Sequence, residues 1–134
     1  MSDRLFTTAD VNALIPALAD LMTRAMERHR QMTELAQHLR DEQSRIRDSG
    51  GGLIDQRDWK ARAERLDGLT IEVRQFLQEI LNMGGVTKDL EMGLVDFPGR
   101  VEGRTVNLCW KYGETAVGFW HGFDEGYAQR KPLP

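Results

Sequence analysis

Hydrophobic residues in the first half of the chain recur at helical spacing, in two long segments separated by glycines. In the first segment they follow at intervals of three and four, the spacing of a coiled-coil seam, with interruptions at Arg28 and Glu42. The first stripe consists of Val11, Leu14, Leu18, Leu21, Ala25, Met32, Leu35, Leu39 and Ile46. The second stripe consists of Trp59, Ala63, Leu66, Leu69, Val73, Phe76, Ile80 and Met83. The pattern predicts two amphipathic helices.

Both helices carry start and stop signals. Thr7 is the predicted N-cap of the first helix, with Asp10 at its third helical position, and Asp55 and Asp58 repeat this arrangement in the second. The run 49–52, which contains three glycines, is predicted to end the first helix, and glycines 84 and 85 to end the second. The segment 7–83 should therefore form an antiparallel helical hairpin.

The predicted length of the first helix has a consequence for assembly. A helix of about 40 residues is about 60 Å long, whereas a compact domain of this size has a radius of gyration near ~14 Å. The hairpin should therefore overhang the rest of the domain, and we expect a homodimer through the helices. Pro16 leaves an alternative open, because a hinge there would fold the first helix back on its own domain.

Beyond residue 85 the pattern changes to the alternation of β-strands. Glu102-Gly103 and Gly113-Glu114 resemble two-residue hairpin turns, so 94–101, 104–112 and 115–121 should form an antiparallel meander. The predicted fold class is α+β, in a single domain 1–134. Its parts are the helical hairpin 7–83, the β-meander 86–121 and a carboxyl-terminal segment 122–134.

These turns also predict a register. Asp96 should lie opposite Cys109, and Cys109 opposite Gly118. The predicted core face carries Val95, Phe97, Val101, Val106, Leu108, Trp110, Tyr112, Val117, Phe119 and His121. The other face carries Asp96, Arg100, Thr105, Asn107, Cys109, Lys111 and Trp120. In this register a single ion cannot contact both His121 and Asp96 unless a bulge intervenes.

Composition narrows the functional classes. The chain has 134 residues and a net charge of -3, and its arginines are interleaved with acidic residues, which argues against nucleic-acid binding. No apolar run is long enough to span a bilayer, so no membrane association is expected. The amino terminus lacks an apolar targeting segment and Cys109 is the only cysteine, so a reducing cytoplasm is expected.

Carboxylates and one histidine mark a candidate metal site at the edge of the meander. Asp89 and Glu91 share a face if the backbone is extended, and two carboxylates on one face repel unless a cation or a proton lies between them. His121 ends the last strand, with Asp124 three residues later. We predict that Asp89, Glu91, His121 and Asp124 bind a divalent metal ion, although a nearby arginine would explain the carboxylates equally well.

Three further residues are candidates for binding a small polar ligand: Asp96, Trp120 and Arg130. Asp96 could equally be a solvated strand residue or a partner for Arg100. Cys109 is expected to be a small, inert, buried thiol, because the register separates it from His121. No nucleotide-binding, hydrolase or zinc-protease signature is present, and the sequence assigns no catalytic residue.

Three motifs, KDLEMGLVDFPGR, GRTVNLCWKYGE and FWHGFDEGYAQRKP, resemble a small bacterial family catalogued as a domain of unknown function. The amino-terminal FTTADVNALIPAL is similar as well, so the resemblance spans nearly the whole chain. It implies no activity, cofactor or partner. It does imply that the family's most recognisable residues are Asp89, Glu91, Asp96, Trp110, Glu114, Trp120, His121 and Arg130.

Two hypotheses of function follow. In the first, the edge of the meander binds a divalent metal or a small polar ligand, and any catalysis is metal-assisted hydrolysis or acid/base chemistry. In the second, the protein is a dimeric adaptor without enzymatic activity. Its helical hairpin or carboxyl-terminal segment then binds a protein partner, and the carboxylates only fix loops through arginines.

Overall fold

The computed structural model describes residues 4–48 and 55–134 and contains two long helices, α1 (Thr8–Asp48) and α2 (Gln56–Asn82). The start signals are confirmed. Thr7 Oγ1 accepts a hydrogen bond from the Asp10 amide (3.0 Å), and the Asp10 carboxylate accepts one from the Thr7 amide (2.9 Å). The Asp55 carboxylate accepts hydrogen bonds from the amides of Arg57 and Asp58 in the first turn of α2. The predicted end of α1 at 49–52 lies outside the described residues.

The two polar interruptions of the α1 stripe are interhelical ion pairs. Arg28 Nε lies 3.1 Å from Glu72 Oε2, and Arg62 pairs with Glu42. Because the earlier residue of α1 pairs with the later residue of α2, the helices are antiparallel, and the predicted hairpin is confirmed. α1 runs through Pro16 as a single helix rather than as two helices joined by a hinge.

The second half of the chain is a five-stranded antiparallel sheet with the strands in chain order. The strands are β1 (Val86–Asp89), β2 (Leu94–Val101), β3 (Arg104–Lys111), β4 (Phe119–His121) and β5 (Lys131–Pro132). The prediction of an α+β fold is confirmed, as is the hairpin between β2 and β3. β1 and β5 are additions, because neither segment was among the three predicted strands.

The register is as predicted between β2 and β3, where Asp96 lies opposite Cys109. It is wrong by one residue between β3 and β4, because Cys109 lies opposite Phe119 and not Gly118. The reason is Glu114, whose side chain accepts a hydrogen bond from the Lys111 amide (2.7 Å) and whose carbonyl accepts one from Trp110 Nε1 (2.9 Å). These bonds hold residues 112–118 in a longer connection than a two-residue turn.

A slip of one residue turns every side chain of β4 to the other face of the sheet. Trp120, predicted on the polar face, packs against the hydrophobic core. His121, predicted on the core face, lies on the face of Cys109 and Asp96. Phe119, also predicted in the core, lies instead beneath Arg130, whose guanidinium carbon is 3.8 Å from the ring centroid.

The core lies between the hairpin and one face of the sheet. On α1, Ile15 and Met22 are buried, whereas the predicted Leu14 and Leu21 are half-buried. Phe6 packs edge-on against Phe97, with ring centroids 5.2 Å apart. The buried cluster consists of Phe6, Val11, Ile15, Leu18, Met22, Ile80, Val95, Phe97, Val101, Val106, Leu108, Trp110 and Val117. Within the described ranges, no helix is both long and apolar enough to span a membrane.

The turn between β1 and β2 packs closely on α1 at Gly93. This residue has a φ of 72°, and a Cβ there would lie 3.1 Å from the Met26 sulfur on α1 and 2.5 Å from the Cβ of Tyr112, which follows β3. Gly103, with a φ of 79°, has open space around the same position. Gly103→Ala should therefore cost only the left-handed backbone strain, about 1–2 kcal/mol, and Gly93→Ala should cost more. Urea denaturation of both variants checks this, and equal losses would contradict the packing described.

Candidate functional site

Three strands bring Asp96, Cys109 and His121 together on the sheet face that points away from the helices. One ligand atom from each residue lies within 4.8 Å of those of the other two. Among the described residues, these three form the group of histidine, cysteine, aspartate or glutamate side chains whose ligand atoms are close enough to hold a metal ion. All three are buried, with 3%, 1% and 3% of their surface exposed. The register between β3 and β4 creates the group, because it places His121 opposite Asn107 and diagonal to Cys109.

Both ring nitrogens of His121 have partners. Nδ1 lies 2.8 Å from the carbonyl oxygen of Gly122, and since a carbonyl only accepts, Nδ1 carries a proton and donates it. Nε2 lies 3.0 Å from Asp96 Oδ1. A neutral imidazole protonated at Nδ1 presents a lone pair at Nε2, which would face the lone pairs of a carboxylate. A proton or a cation must therefore lie between Nε2 and Oδ1.

The second oxygen of Asp96 is an unsatisfied acceptor. Oδ2 is buried and has no partner with full hydrogen-bond geometry among the described residues, although the Cys109 thiol, a weak donor, interacts with the same carboxylate. An unpaired buried polar group costs about 1–3 kcal/mol, and a charged one costs more. The interpretation of Asp96 as a solvated strand residue is wrong, since the carboxylate is buried and contacts His121.

Cys109 is the buried thiol that the sequence predicts. Burial, assisted by the negative charge of Asp96, raises the pKa of the Cys109 thiol to about 12. The thiol is therefore protonated at neutral pH, and a free nucleophilic thiolate is disfavoured. The expectation that His121 lies elsewhere is wrong, and so is the expectation that one ion cannot contact both His121 and Asp96.

The raised pKa predicts a loss of stability at high pH. The folded pKa of about 12 exceeds the ordinary value of 9.0, so this contribution is fully present below pH 9 and is lost as the pH rises towards 12. Denaturation of chelator-treated protein at pH 8 and at about pH 10.5 should show a larger loss for the wild type than for Cys109→Ala. Lysine and tyrosine ionisation is common to both proteins, so a difference between them that does not change with pH would contradict the prediction.

The carboxylates predicted as metal ligands lie in three different environments. Asp89 Oδ1 accepts a hydrogen bond from the Met92 amide (2.9 Å) and closes the β1–β2 turn. Glu91 lines a separate cavity beside α1. Asp124 lies beside Gly122, with Oδ1 3.1 Å from the point where a Cβ on that glycine would lie. None of the three joins His121 in the buried group.

Arg130 and Trp120, predicted to bind a ligand, contact the sheet. Arg130 donates to Glu114 Oε2 at 2.6 Å and stacks on Phe119, which ties the carboxyl-terminal segment to the sheet. Trp120 packs on the core from the other face, and Lys131 Nζ lies 4.7 Å from its ring centroid. Of the three predicted ligand-binding residues, Asp96 lines the cavity described next.

The buried group opens into a cavity of about 150 Å³. Its remaining polar lining comes from Lys88, Asn107, Glu125 and Tyr127, which the sequence did not single out as ligands. A larger cavity, about 540 Å³, lies between α1 and the β1–β2 turn. The smaller cavity is the better candidate for chemistry, because it holds the buried titratable residues. The sequence signal that could have corrected the register is Glu114 itself, because a glutamate three residues after Lys111 can accept a hydrogen bond from the Lys111 amide.

The fold and site define a class: an α+β protein in which a helical hairpin covers one face of an antiparallel sheet and the other face carries a buried carboxylate, thiol and imidazole. The chain belongs to the family described as "Uncharacterized conserved protein (DUF2203)", whose model matches residues 4–133. The resemblance seen in the sequence motifs is thereby confirmed at the level of the family. No curated protein and no solved structure matches the chain.

Proposed function

We propose that the protein binds one divalent transition-metal ion, of the zinc class, through Asp96, Cys109 and His121. The observation that carries this proposal is the buried Asp96 carboxylate. One of its oxygens has no partner with full hydrogen-bond geometry among the described residues, and it shares a ligand-sized space with a ring nitrogen and a thiol. The predicted contributions of Asp89, Glu91 and Asp124 stay predictions, since the geometry favours the other two partners for His121.

The donor set selects the class of metal. One nitrogen, one sulfur and one oxygen ligand suit zinc and its borderline neighbours, which bind imidazole, thiolate and carboxylate. Magnesium and calcium prefer sites made of oxygen atoms. A bound zinc ion would supply Lewis acidity at this position, and the protein residues would hold and orient it.

The spacing of the ligand atoms supports the same class. In a tetrahedral zinc site with bonds of about 2.0–2.3 Å, ligand atoms lie about 3.2–3.8 Å apart. The present separations are all within 4.8 Å, and His121 Nε2 lies 3.0 Å from Asp96 Oδ1, so the ligand atoms lie near this range. The bond from Nδ1 to the Gly122 carbonyl is the outer contact that metal-binding histidines usually make, and it directs Nε2 towards Asp96, the other proposed ligand.

Binding must displace two protons: the one that lies between His121 Nε2 and Asp96 Oδ1 in the metal-free protein, and that of Cys109. The Cys109 pKa of about 12 means that the thiol is protonated before the ion arrives, and coordination removes that proton. A thiolate ligand also needs protection from oxidation, which supports the proposed cytoplasmic location of the protein.

The proposal is tested by titrating chelator-treated protein with Zn²⁺ and following thermal and urea denaturation. We expect one ion per chain and a stabilisation of about 2.7 kcal/mol at a free concentration one hundred times the Kd. His121→Gln should lose this response, whereas His38→Gln, at an exposed position of α1, should keep it. Equal responses of the wild type and His121→Gln would contradict the proposal.

One observation supports the alternative hypothesis that the protein is an adaptor. α2 exposes Ile71 and Leu81, with 54% and 52% of their surface accessible, so its outer face could contact a second copy or another protein. α1 packs along α2 in the same chain, as the predicted hairpin requires, and the homodimer stays a prediction. Sedimentation equilibrium across a range of concentrations would decide between monomer and dimer.

A further inference from the structure

We infer that a small oxyanion, such as a carboxylate or phosphate group, is the fourth ligand of the ion proposed at Asp96, Cys109 and His121. The anion would lie between the ion and Lys88. This inference rests on the proposed metal function. It adds a ligand class and a specificity residue to that function.

An open coordination position is the first requirement. Zinc is usually four-coordinate, and a site with three protein ligands leaves one position for water or an exogenous ligand. The three ligand residues line the 150 Å³ cavity, so a fourth ligand could enter from it. Asn107, which lies opposite His121 in the register, adds an amide to the same lining.

The charges of the ion and its ligands balance. The divalent ion carries two positive charges, and the carboxylate of Asp96 and the thiolate of Cys109 supply two negative charges. An imidazole that binds an ion through Nε2 adds no charge, and the Nδ1 of His121 lies where it can donate its proton to the Gly122 carbonyl. The coordinated ion is thus neutral before a fourth ligand arrives, and the remaining residues of the cavity decide the sign of that ligand.

The charged residues of the cavity other than the ligands are Lys88 and Glu125, and only the charge of Lys88 is not balanced by an ion pair among the described residues. Glu125 is already paired, with its Oε1 2.7 Å from Lys131 Nζ. Lys88 lines the cavity and has no ion-pair partner in the part of the chain that the structure describes. Lys88 is an exposed residue at the irregularity of β1 between Thr87 and Asp89, and from there it lines the cavity beside Asp96. An anion in the cavity would meet both the ion and the Lys88 ammonium.

The volume of the cavity limits the size of the anion. At about 150 Å³, it is smaller than the about 300–1,000 Å³ of sites for drug-sized ligands. A single carboxylate or phosphate group fits this space. A nucleotide would leave most of its surface outside.

Cobalt-substituted protein tests this inference. Co²⁺ bound by the thiolate should give an absorption band from charge transfer and visible bands that report its coordination. Inorganic phosphate and acetate, titrated separately, should change the visible bands at saturation, and the relative affinities would show which source of the anion the site prefers. Lys88→Gln should weaken anion binding about tenfold and leave Co²⁺ affinity within about twofold, since only the charge-assisted contact is lost. Lys60→Gln, on α2, is the matched control.

The outcomes separate the two proposals. If the cobalt bands appear but neither anion alters them, the oxyanion inference is overturned and the metal proposal stands. The same holds if Lys88→Gln and Lys60→Gln bind the anions equally well. Absence of the charge-transfer band in the wild type would overturn the metal proposal and this inference with it.

Discussion

Asp96→Asn is expected to abolish high-affinity metal binding while leaving the metal-free protein at least as stable as the wild type. The two effects share one cause. The carboxylate is buried with one oxygen unpaired among the described residues, so it lowers the stability of the folded protein when no ion is bound. The amide keeps the shape of the side chain, carries no charge and is a poor metal ligand. The loss of a charged ligand should weaken Zn²⁺ binding by more than about 100-fold.

The measurement is a pair of urea denaturation curves for each protein, one with chelator and one with Zn²⁺. The wild type should show the larger difference between the curves, and Asp96→Asn should show almost none. If His121 and Asp96 instead form a purely structural ion pair, the effects on stability and on zinc binding should be reversed. In that case the substitution would cost about 3–5 kcal/mol in the metal-free protein, because it breaks a buried pair, and the response to zinc would be unrelated to it.

Trp110→Ala should cause the largest loss of stability among single core substitutions, about 3–5 kcal/mol. The Trp110 side chain is fully buried in the cluster between the hairpin and the sheet. Its Nε1 also donates the hydrogen bond to Glu114 O that shapes the connection before β4. Since domains of this size are stable by about 5–15 kcal/mol, the variant should approach the limit of folding.

Trp110→Phe is the matched control, because it keeps an aromatic ring in the core and removes the donor. It should retain more of the wild-type stability than alanine, and its residual loss reports the bond to Glu114 together with the smaller ring. Differential scanning calorimetry checks both variants. A loss below about 1 kcal/mol for alanine would contradict the position of Trp110 at the centre of the core.

The helices could be predicted from the sequence because their signals are local. A capping box at Thr7 and an N-cap at Asp55 lie next to the residues they bond. Arg28 and Glu42 could be recognised in the sequence as polar residues within the apolar stripe. Their ion-pair partners on α2 are distant in the chain and are brought to them only in the folded hairpin.

The candidate site was missed because it depends on a single residue of register. A Gly-Glu pair at 113–114 resembles a tight turn, and nothing in the hydrophobic alternation reveals that Glu114 instead caps Lys111 and receives the indole N–H of Trp110. Once the connection is lengthened, His121 moves to the face of Asp96 and Cys109. The two residues of β5 are too few to show a period.

The three carboxylates of the β1–β2 region have three different roles. Asp89 closes the turn, Glu91 lines the cavity beside α1, and Asp96 is buried against His121. Sequence spacing grouped Asp89 with Glu91, whereas the pairing of strands grouped Asp96 with residues further along the chain. Local spacing therefore identified a polar region correctly but could not show which carboxylate is buried.

X-ray absorption at the zinc edge, on protein loaded with one Zn²⁺ per chain, tests the central claim most directly. Cys109 is the only cysteine of the chain, so any sulfur ligand from a cysteine at about 2.3 Å identifies this site. We expect one sulfur neighbour together with nitrogen and oxygen neighbours at about 2.0–2.2 Å, and loss of the sulfur signal in Cys109→Ala. A zinc ion surrounded only by nitrogen and oxygen in the wild type, or no retained zinc at all, would contradict the site.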